Sequence, residues 1–473
     1  MTKHYPLCVD LDGTLIYSDL LLESFLLLIK KNPFYLFLIP LWLWSGKAHL
    51  KAEIAQRVCL NVEVLPYNRD FLEWLREQKE HGRSLWLCTA SNEHLAQKVA
   101  DHIGIFDGVL ASTVILNLSG KQKAAQLVER FGERGFEYCG NHPVDLEVWR
   151  HASRAIVVNG PQGLETLAAA VSPLGEVFPG KSYSLKVLLK AIRIHQWAKN
   201  ILVFVPMLAA HKFGDVGAWK ACMWAFLAFG WCASSVYILN DLLDLEVDRQ
   251  HAKKSHRAFA SGAVPIFTGL RLIPILLLGA LGWAMHLSSA FLLTLGGYYL
   301  LTLGYSFYLK RLVLVDVLAL AALYTVRLVA GATAVSVPLS FWFLLFSMFL
   351  FLSLALVKRY AELEAMRRSG KLNAAGRGYH VEDLPVLQSL GTSAGYLSVL
   401  VLGLYTNTPT VAVLYRNPQA IWLLSVLVLY WISHIWMQTH RGKMHEDPVV
   451  FAFRDKISLA IAVLAFLTIM IAI

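Results

Sequence analysis

Four oxygen-bearing side chains, Asn240, Asp241, Asp244 and Asp248, recur at spacings of three and four at the end of a long apolar run that begins near Cys222. On a helix this spacing places them on one face. Carboxylates crowded on one face repel each other unless a cation sits among them. Hard oxygen donors suit Mg²⁺, which usually also takes oxygens from a substrate phosphate. The basic residues Arg249, Lys253, Lys254 and Arg257 follow at once. Carboxylates and cations together at a membrane edge read as a diphosphate–Mg²⁺ site. The alternative, a charged and solvated end of a membrane span, is disfavoured because carboxylates near a bilayer are costly and usually functional. A second acidic pair stands near the N-terminus, where the strand pattern Tyr5 to Val9 ends in Asp10-Leu11-Asp12-Gly13-Thr14-Leu15. Two carboxylates two residues apart, just past a strand, suit a nucleophile and a proton shuttle at the carboxyl end of a parallel sheet.

The elements that must position these groups divide the chain in two. Of 473 residues, 56% are hydrophobic and 16% charged, and the formal net charge is +10. Residues up to about Gly180 read as mostly soluble, and 171–184 as a linker rich in turn formers. Beyond it lie nine apolar runs, roughly 199–213, 218–240, 271–287, 289–308, 312–334, 338–357, 386–406, 417–437 and 457–473. Lys and Arg cluster after the even-numbered runs, at 249–271, 310–311, 358–377 and 441–456. By the positive-inside tendency these loops and the soluble part face the cytoplasm. The positive excess thus marks cytoplasmic loops and anionic headgroups as partners, not nucleic acid. Cys8, Cys59, Cys88 and Cys139 form no CxxC pair, which suits reduced thiols in the cytosol and no metal cluster. The N-terminus runs straight into a strand pattern, with no cleavable signal peptide ahead of it.

The DxDGTL string at 10–15 resembles the first motif of the haloacid dehalogenase superfamily of phosphatases. Later motifs follow in order: the strand Leu85 to Cys88 ending in Thr89-Ala90-Ser91, Gly120-Lys121-Gln122-Lys123 before a helix pattern, and the strand Phe136 to Cys139 before Gly140-Asn141-His142-Pro143-Val144-Asp145. The resemblance covers residues 4–160 and implies a Mg²⁺-dependent phosphomonoesterase or phosphotransferase. Asp10 would be the nucleophile and Asp12 the acid/base. Thr89 would bind the phosphate and Lys123, better spaced than Lys121, would offset its charge. Asp10, Asp12 and Asp145 would hold the metal. Asn141 stands where the family commonly has Asp, which leaves open a degraded, regulatory domain. Residues 20–66 occupy the place of a helical cap, here unusually apolar: 26–29, then 34–44. These short runs read as an interfacial segment with Trp42 and Trp44 at headgroup depth, or else as an ordinary cap core.

Nine helices with NDxxDxxxD after the second resemble the UbiA superfamily of intramembrane prenyltransferases, over residues 186–470. Arg193-Ile194-His195-Gln196-Trp197-Ala198-Lys199-Asn200 resembles the opening of one branch, the decaprenyl-phosphate phosphoribosyltransferases. So do Tyr305 to Lys310, Asp316 to Gly331 with Arg327, Lys358 to Leu363, and Glu446-Asp447-Pro448-Val449 with Asp455. Ala252 and Ala258 depart from it, where the branch tends to have Pro. The resemblance implies transfer of 5-phosphoribose from phosphoribosyl diphosphate to a polyprenyl phosphate. Asp241 and Asp244, with Asp248, would hold Mg²⁺. Asn240, Lys199, Arg257, Tyr305, Lys310, Lys358 and Arg359 would bind substrate.

The expected architecture is therefore an α/β Rossmann-like domain with a helical cap (1–170), a linker (171–184) and an all-α multi-pass domain of about nine helices (185–473). The expected place is the bacterial inner membrane, with the N-terminal domain cytoplasmic. The expected function is a phosphoribosyltransferase fused to a phosphatase that removes the 5-phosphate of the lipid product. One alternative is an aromatic-acceptor prenyltransferase using a polyprenyl diphosphate, which would want a second Asp-rich motif after the fourth run, where only Asp316 stands. Another is a membrane-anchored, non-catalytic sensor or scaffold.

Overall fold

The computed structural model describes residues 5–180, 184–251, 254–368, 378–408, 415–444 and 447–473. Ala252, Lys253 and Glu446, each named above, and the end of the basic stretch 358–377 lie outside the described residues.

Six parallel strands form one sheet in the order β3-β2-β1-β4-β5-β6: β1 Leu7–Val9, β2 Leu85–Asn92, β3 Gly108–Ser112, β4 Glu137–Gly140, β5 Arg154–Val158 and β6 Leu174–Phe178. The central strand β1 is buried on both faces, as a parallel sheet covered by helices requires. Leu7 and Val9 pack into one core with Leu85, Leu87, Phe71 and Leu75. Cys8, between them, turns to the opposite core with Tyr138 and Trp149. This alternation is the two-residue period of a strand. All six cysteines are free.

Two boundaries differ from the sequence reading. The stretch 171–184 is not all linker, because β6 pairs with β5 through Ala155–Leu174, Val157–Val177 and Val158–Phe178. An edge strand buries only part of its surface, so its composition resembles that of a loop. The chain also does not divide at 185. It forms two compact units, one of Met1–Ile192 with Tyr237–Ile273, the other of Arg193–Val236 with Pro274–Ile473. The acidic segment at 240–248 therefore belongs to the same unit as the sheet.

Between β1 and β2 the cap is built from the helix Leu20–Lys31, a 3-10 turn Pro33–Phe37, and the helices Ile39–Trp44 and Lys47–Arg57. Leu28, Trp42 and Ile54 form its small core. Trp42 is thus not at a surface: it is buried, with the Arg57 guanidinium carbon 4.9 Å from its ring centroid. Trp44, at 92% exposure, is fully out, and Phe34, Phe37 and Leu41 are exposed beside it.

Seven described helices are long and apolar enough to cross a membrane, and this is a multi-pass membrane protein. A shorter apolar helix, Lys456–Ala472, follows. The first expected run, 199–213, is not one helix. It is a 3-10 segment Ile194–Phe204 followed by the short helix Val205–Ala209. Pro206, which lacks an amide hydrogen, starts a new helix and cannot continue one.

Candidate functional site

The strand order reverses between β1 and β4, the place where open α/β sheets present their ligands. Asp10 leaves β1 there, its amide donating to the Cys139 carbonyl of β4 at 3.0 Å. Its carboxylate accepts from Lys123 Nζ at 3.0 Å. Lys123 also donates to Tyr138 Oη at 2.7 Å, and Tyr138 donates to Asp145 Oδ1 at 3.2 Å. Asp145 Oδ2 accepts the amides of Asn141 and His142 at 3.0 and 2.9 Å, so part of this carboxylate caps the turn that follows β4. Burial pushes Asp10 up to about 6, against the opposing pull of Lys123. Burial alone would disfavour the Lys123 ammonium, but Asp10 and Asp145 outweigh it and hold the charge in place. Lys121, the other candidate, is exposed.

Asp12 is held differently. Its Oδ1 accepts the amide of Leu20, the first residue of the cap helix, at 2.8 Å. Its Oδ2 accepts Ser91 Oγ at 2.6 Å and, more remotely, Thr89 Oγ1 at 3.5 Å. Burial, then the nearby charge of Asp19, push Asp12 up to about 7, where a carboxyl can carry a proton and release it. Thr89, chosen from the sequence as the phosphate-binding hydroxyl, is fully buried and its oxygen accepts the Ser91 amide at 3.0 Å. Ser91 makes the closer contact with Asp12. Its presence two residues along the same strand, on the same face, was the available signal. Gly13 has φ +76°, and a Cβ there would come within 2.0 Å of Asn141 Nδ2. The glycine thus lets the Asp loop and the β4 loop close on each other.

In the acidic segment the long helix Val216–Leu243 ends at Leu243, and Asp244 caps a new helix Leu245–Arg249. The backbone ladder nearly survives the break, with Asp244 N–H to Asn240 O at 3.0 Å and Asp248 N–H to Asp244 O at 2.8 Å. The expected shared face is therefore only partly kept. Asp241 and Asp248 meet on Arg257 Nη1, at 3.1 and 2.6 Å. Asp244 instead pairs with Lys30 of the cap helix at 2.9 Å. Next to it Arg249 forms a two-pronged pair with Glu23 of the same cap helix, at 2.8 and 2.6 Å. The Asn61 amide donates to Glu246 at 2.9 Å. Sequence reasoning missed this docking of cap on acidic segment, because the partners lie some two hundred residues apart.

In the second unit the expected basic residues fall into two groups. Lys199 Nζ and Lys358 Nζ both reach Asp447 Oδ2, at 2.8 and 3.4 Å. Tyr324 donates to both oxygens of Asp447, at 2.7 and 2.8 Å. Burial would raise Asp447, but Lys199 and Lys358 overcome it and hold the carboxyl far below its usual range. Arg359 is locked instead in a buried pair with Asp316 at 2.6 Å; it also contacts Glu362 and reaches Tyr305 Oη at 3.3 Å. Tyr379 donates to Asp316 at 2.5 Å. Arg359 thus belongs to a buried ion-pair network, with its Nε left without a hydrogen-bond partner. Arg327 is likewise tied down, donating to Asn200 Oδ1 at 2.9 Å. Lys310 lies in the single turn Leu309–Arg311 after the span that ends at Phe307.

Among the described residues no three acidic, His or Cys side chains gather as a preformed metal cluster. Cations of the chain already sit on the expected sets, Asp10/Asp12/Asp145 and Asp241/Asp244/Asp248: Lys123 on Asp10 in the first, and in the second Arg257 between Asp241 and Asp248, with Lys30 on Asp244. The donor chemistry still fits a divalent, oxygen-seeking ion at both places. Asn240 Oδ1 is buried without a hydrogen-bond partner beside Asp241. In the first site three carboxylates, Asp10, Asp12 and Asp145, line one cavity with Lys123 as the cation beside Asp10.

Comparison with known proteins agrees with the two halves. Residues 201–465 match the UbiA prenyltransferase family and residues 7–150 match the haloacid dehalogenase-like hydrolases. Uncharacterized protein y4nM of Sinorhizobium fredii is 37% identical over 465 residues, 98% of this chain and 90% of that one. Nodulation protein NoeC of Azorhizobium caulinodans is 38% identical over 276 residues, 57% of this chain and 88% of its own. Decaprenyl-phosphate phosphoribosyltransferase of Mycolicibacterium smegmatis is 35% identical over 214 residues, 44% of this chain and 67% of its own. The chain belongs to the UbiA prenyltransferase family, and carries a haloacid dehalogenase-like domain fused ahead of the membrane helices.

Proposed function

We propose that the membrane domain transfers 5-phosphoribose from phosphoribosyl diphosphate to a polyprenyl phosphate, and that the N-terminal domain hydrolyses the 5-phosphate of the lipid product. The protein sits in the bacterial inner membrane with its N-terminal domain in the cytoplasm. The observation that carries this reading is the docking of the cap on the acidic segment through Lys30–Asp244 and Glu23–Arg249. It ties the phosphatase to the element that would hold the diphosphate. The relatives named phosphoribosyltransferase support the substrate pair. The aromatic-acceptor alternative needs free carboxylates after the fourth run, and Asp316 is spent on Arg359 and Tyr379. Retention of Asp10 and Asp12 in one cavity, with Lys123 beside Asp10, disfavours a non-catalytic sensor.

In the phosphatase step Asp10 attacks phosphorus while Asp12 gives its proton to the departing ribose oxygen, leaving an aspartyl-phosphate and the alcohol. Asp12 then takes a proton from the water that cleaves this acyl phosphate, and phosphate leaves as Asp10 is restored. Lys123 offsets the anionic charge throughout. In the transfer step the C1–O bond of phosphoribosyl diphosphate breaks as a lipid phosphate oxygen attacks C1, with diphosphate departing. Asn240, with Asp241 and Asp248 released from Arg257 and Asp244 from Lys30, would hold Mg²⁺ in that site, and Asp10 with Asp145 in the other. When bound, Mg²⁺ would stabilise the negative charge that each reaction develops. The exposed apolar hairpin 33–44 lies in the bilayer interface, with Trp44 at headgroup depth.

The test is incubation of the full chain in detergent with Mg²⁺, labelled phosphoribosyl diphosphate and decaprenyl phosphate, beside an Asp10→Asn variant. Label should enter lipid with both proteins, and the 5-phosphate should persist only with the variant. No label in lipid refutes the phosphoribosyl reading.

A further inference from the structure

The cavity that receives Asp10 is larger than a small phosphomonoester requires. It measures 1260 Å³, against roughly 300–1,000 Å³ for ordinary small-molecule sites. Its walls differ in chemistry. One carries Asp10, Asp12 and Lys123. Another is formed by the loop after the acidic segment and the first turns of the helix Ile266–Ala284, which is long and apolar enough to cross a membrane. That wall presents Ile266, Phe267 and, one turn on, Arg271. The Arg271 guanidinium carbon lies 4.1 Å from the centroid of the Phe267 ring. Stacking of this kind steadies the guanidinium and leaves its edge donors open to a phosphate. Lys123 and Arg271 are the Lys and Arg residues of the lining. Lys123 is committed to Asp10, whereas Arg271 forms no ion pair among the described residues.

We propose that this wall is a second anion subsite, in which Arg271 binds a phosphodiester that joins the sugar to an isoprenoid, and Ile266 and Phe267 pack on the first isoprene units. The proposal rests on the N-terminal domain being a phosphatase, and it names the substrate class: a membrane-borne ester with phosphates at both ends of its head. The phosphomonoester end reaches Asp10 while the diester end stays at the membrane helix. A soluble sugar phosphate fills only the first half of the cavity and never meets Arg271.

The test compares full-length wild type, Arg271→Gln and Arg271→Lys in detergent on two substrates, polyprenyl-phosphoryl-5-phosphoribose and p-nitrophenyl phosphate. Arg271→Gln should raise KM for the lipid substrate about tenfold with kcat nearly unchanged, as loss of one charge-assisted contact predicts. Arg271→Lys should recover part of it, and p-nitrophenyl phosphate turnover should be unchanged in both. Unchanged KM for the lipid substrate overturns the subsite. An equal loss on both substrates also overturns it, and assigns Arg271 to holding the fold. Failure of the wild type to hydrolyse either substrate, with Asp10→Asn no different, instead refutes the phosphatase reading on which the subsite rests.

Discussion

The pair between Glu23 and Arg249 offers the sharpest test of how the cap is held to the acidic segment. The two side chains are only 2% and 6% exposed. Glu23 accepts both terminal nitrogens of Arg249, at 2.6 and 2.8 Å, and also the Ser18 hydroxyl. Arg249 Nε is spent on the Ala260 carbonyl at 2.9 Å. Removing one partner of such a pair strands a buried charge and costs about 3–5 kcal/mol, whereas replacing both with apolar groups of similar size can be nearly neutral. We expect Glu23→Met and Arg249→Met each to destabilise the docked cap, and the double variant to recover about 2 kcal/mol relative to their sum. Hydrogen exchange in the cap helix Leu20–Lys31 and in 240–250 measures the local opening free energy. A functional effect follows, because the Leu20 amide that opens this helix donates to Asp12 at 2.8 Å. Turnover of a soluble phosphomonoester should fall about tenfold in the single variants, a partial loss of the roughly 10²–10⁴-fold that a well-placed acid/base group supplies. Additivity of the two substitutions within about 0.5 kcal/mol would refute the reasoning, since independent sites behave that way.

Ser91→Ala should lower phosphatase kcat about tenfold or more by removing the 2.6 Å donor to Asp12, while Thr89→Ser, which keeps its oxygen, should do less; steady-state kinetics on a soluble phosphomonoester decide the order. Asp447→Asn takes the shared negative charge from Lys199 and Lys358, and should reduce transfer of labelled phosphoribose to lipid at least tenfold, with Tyr324→Phe milder because it removes a neutral donor only. If the hairpin 33–44 lies in the interface, a fluorophore on cysteine at position 37, with exposed Cys59 replaced, should report an apolar environment in vesicles and a polar one in the presence of a Trp44→Ser/Leu41→Ser pair; identical spectra would place the hairpin in water.

Local chemistry carries far in this chain. Asp10, Asp12 and Lys123 were legible because they sit on two short motifs, the Asp pair just past the end of β1 and the Lys at the start of the helix Lys121–Phe131. The apolar runs were legible because a membrane span is a property of composition over about twenty residues. The strands β3 and β6 were less legible because they are the sheet edges and only partly buried, so their composition resembles that of loops.

Which partner each charge takes was not legible. Asn240, Asp241, Asp244 and Asp248 announce an oxygen-rich site by spacing alone. Only the fold sends Asp241 and Asp248 to Arg257, Asp244 to Lys30, and leaves Asn240 Oδ1 without a partner. Arg359 and Lys358 are neighbours in sequence, yet one is locked on Asp316 and the other reaches Asp447, because adjacent residues on a helix point about a hundred degrees apart. Sequence determines which groups exist and their local periodicity. Burial and long-range pairing, which set whether a charge is free, shared or neutralised, depend on residues hundreds of positions away, and only the tertiary structure decides them.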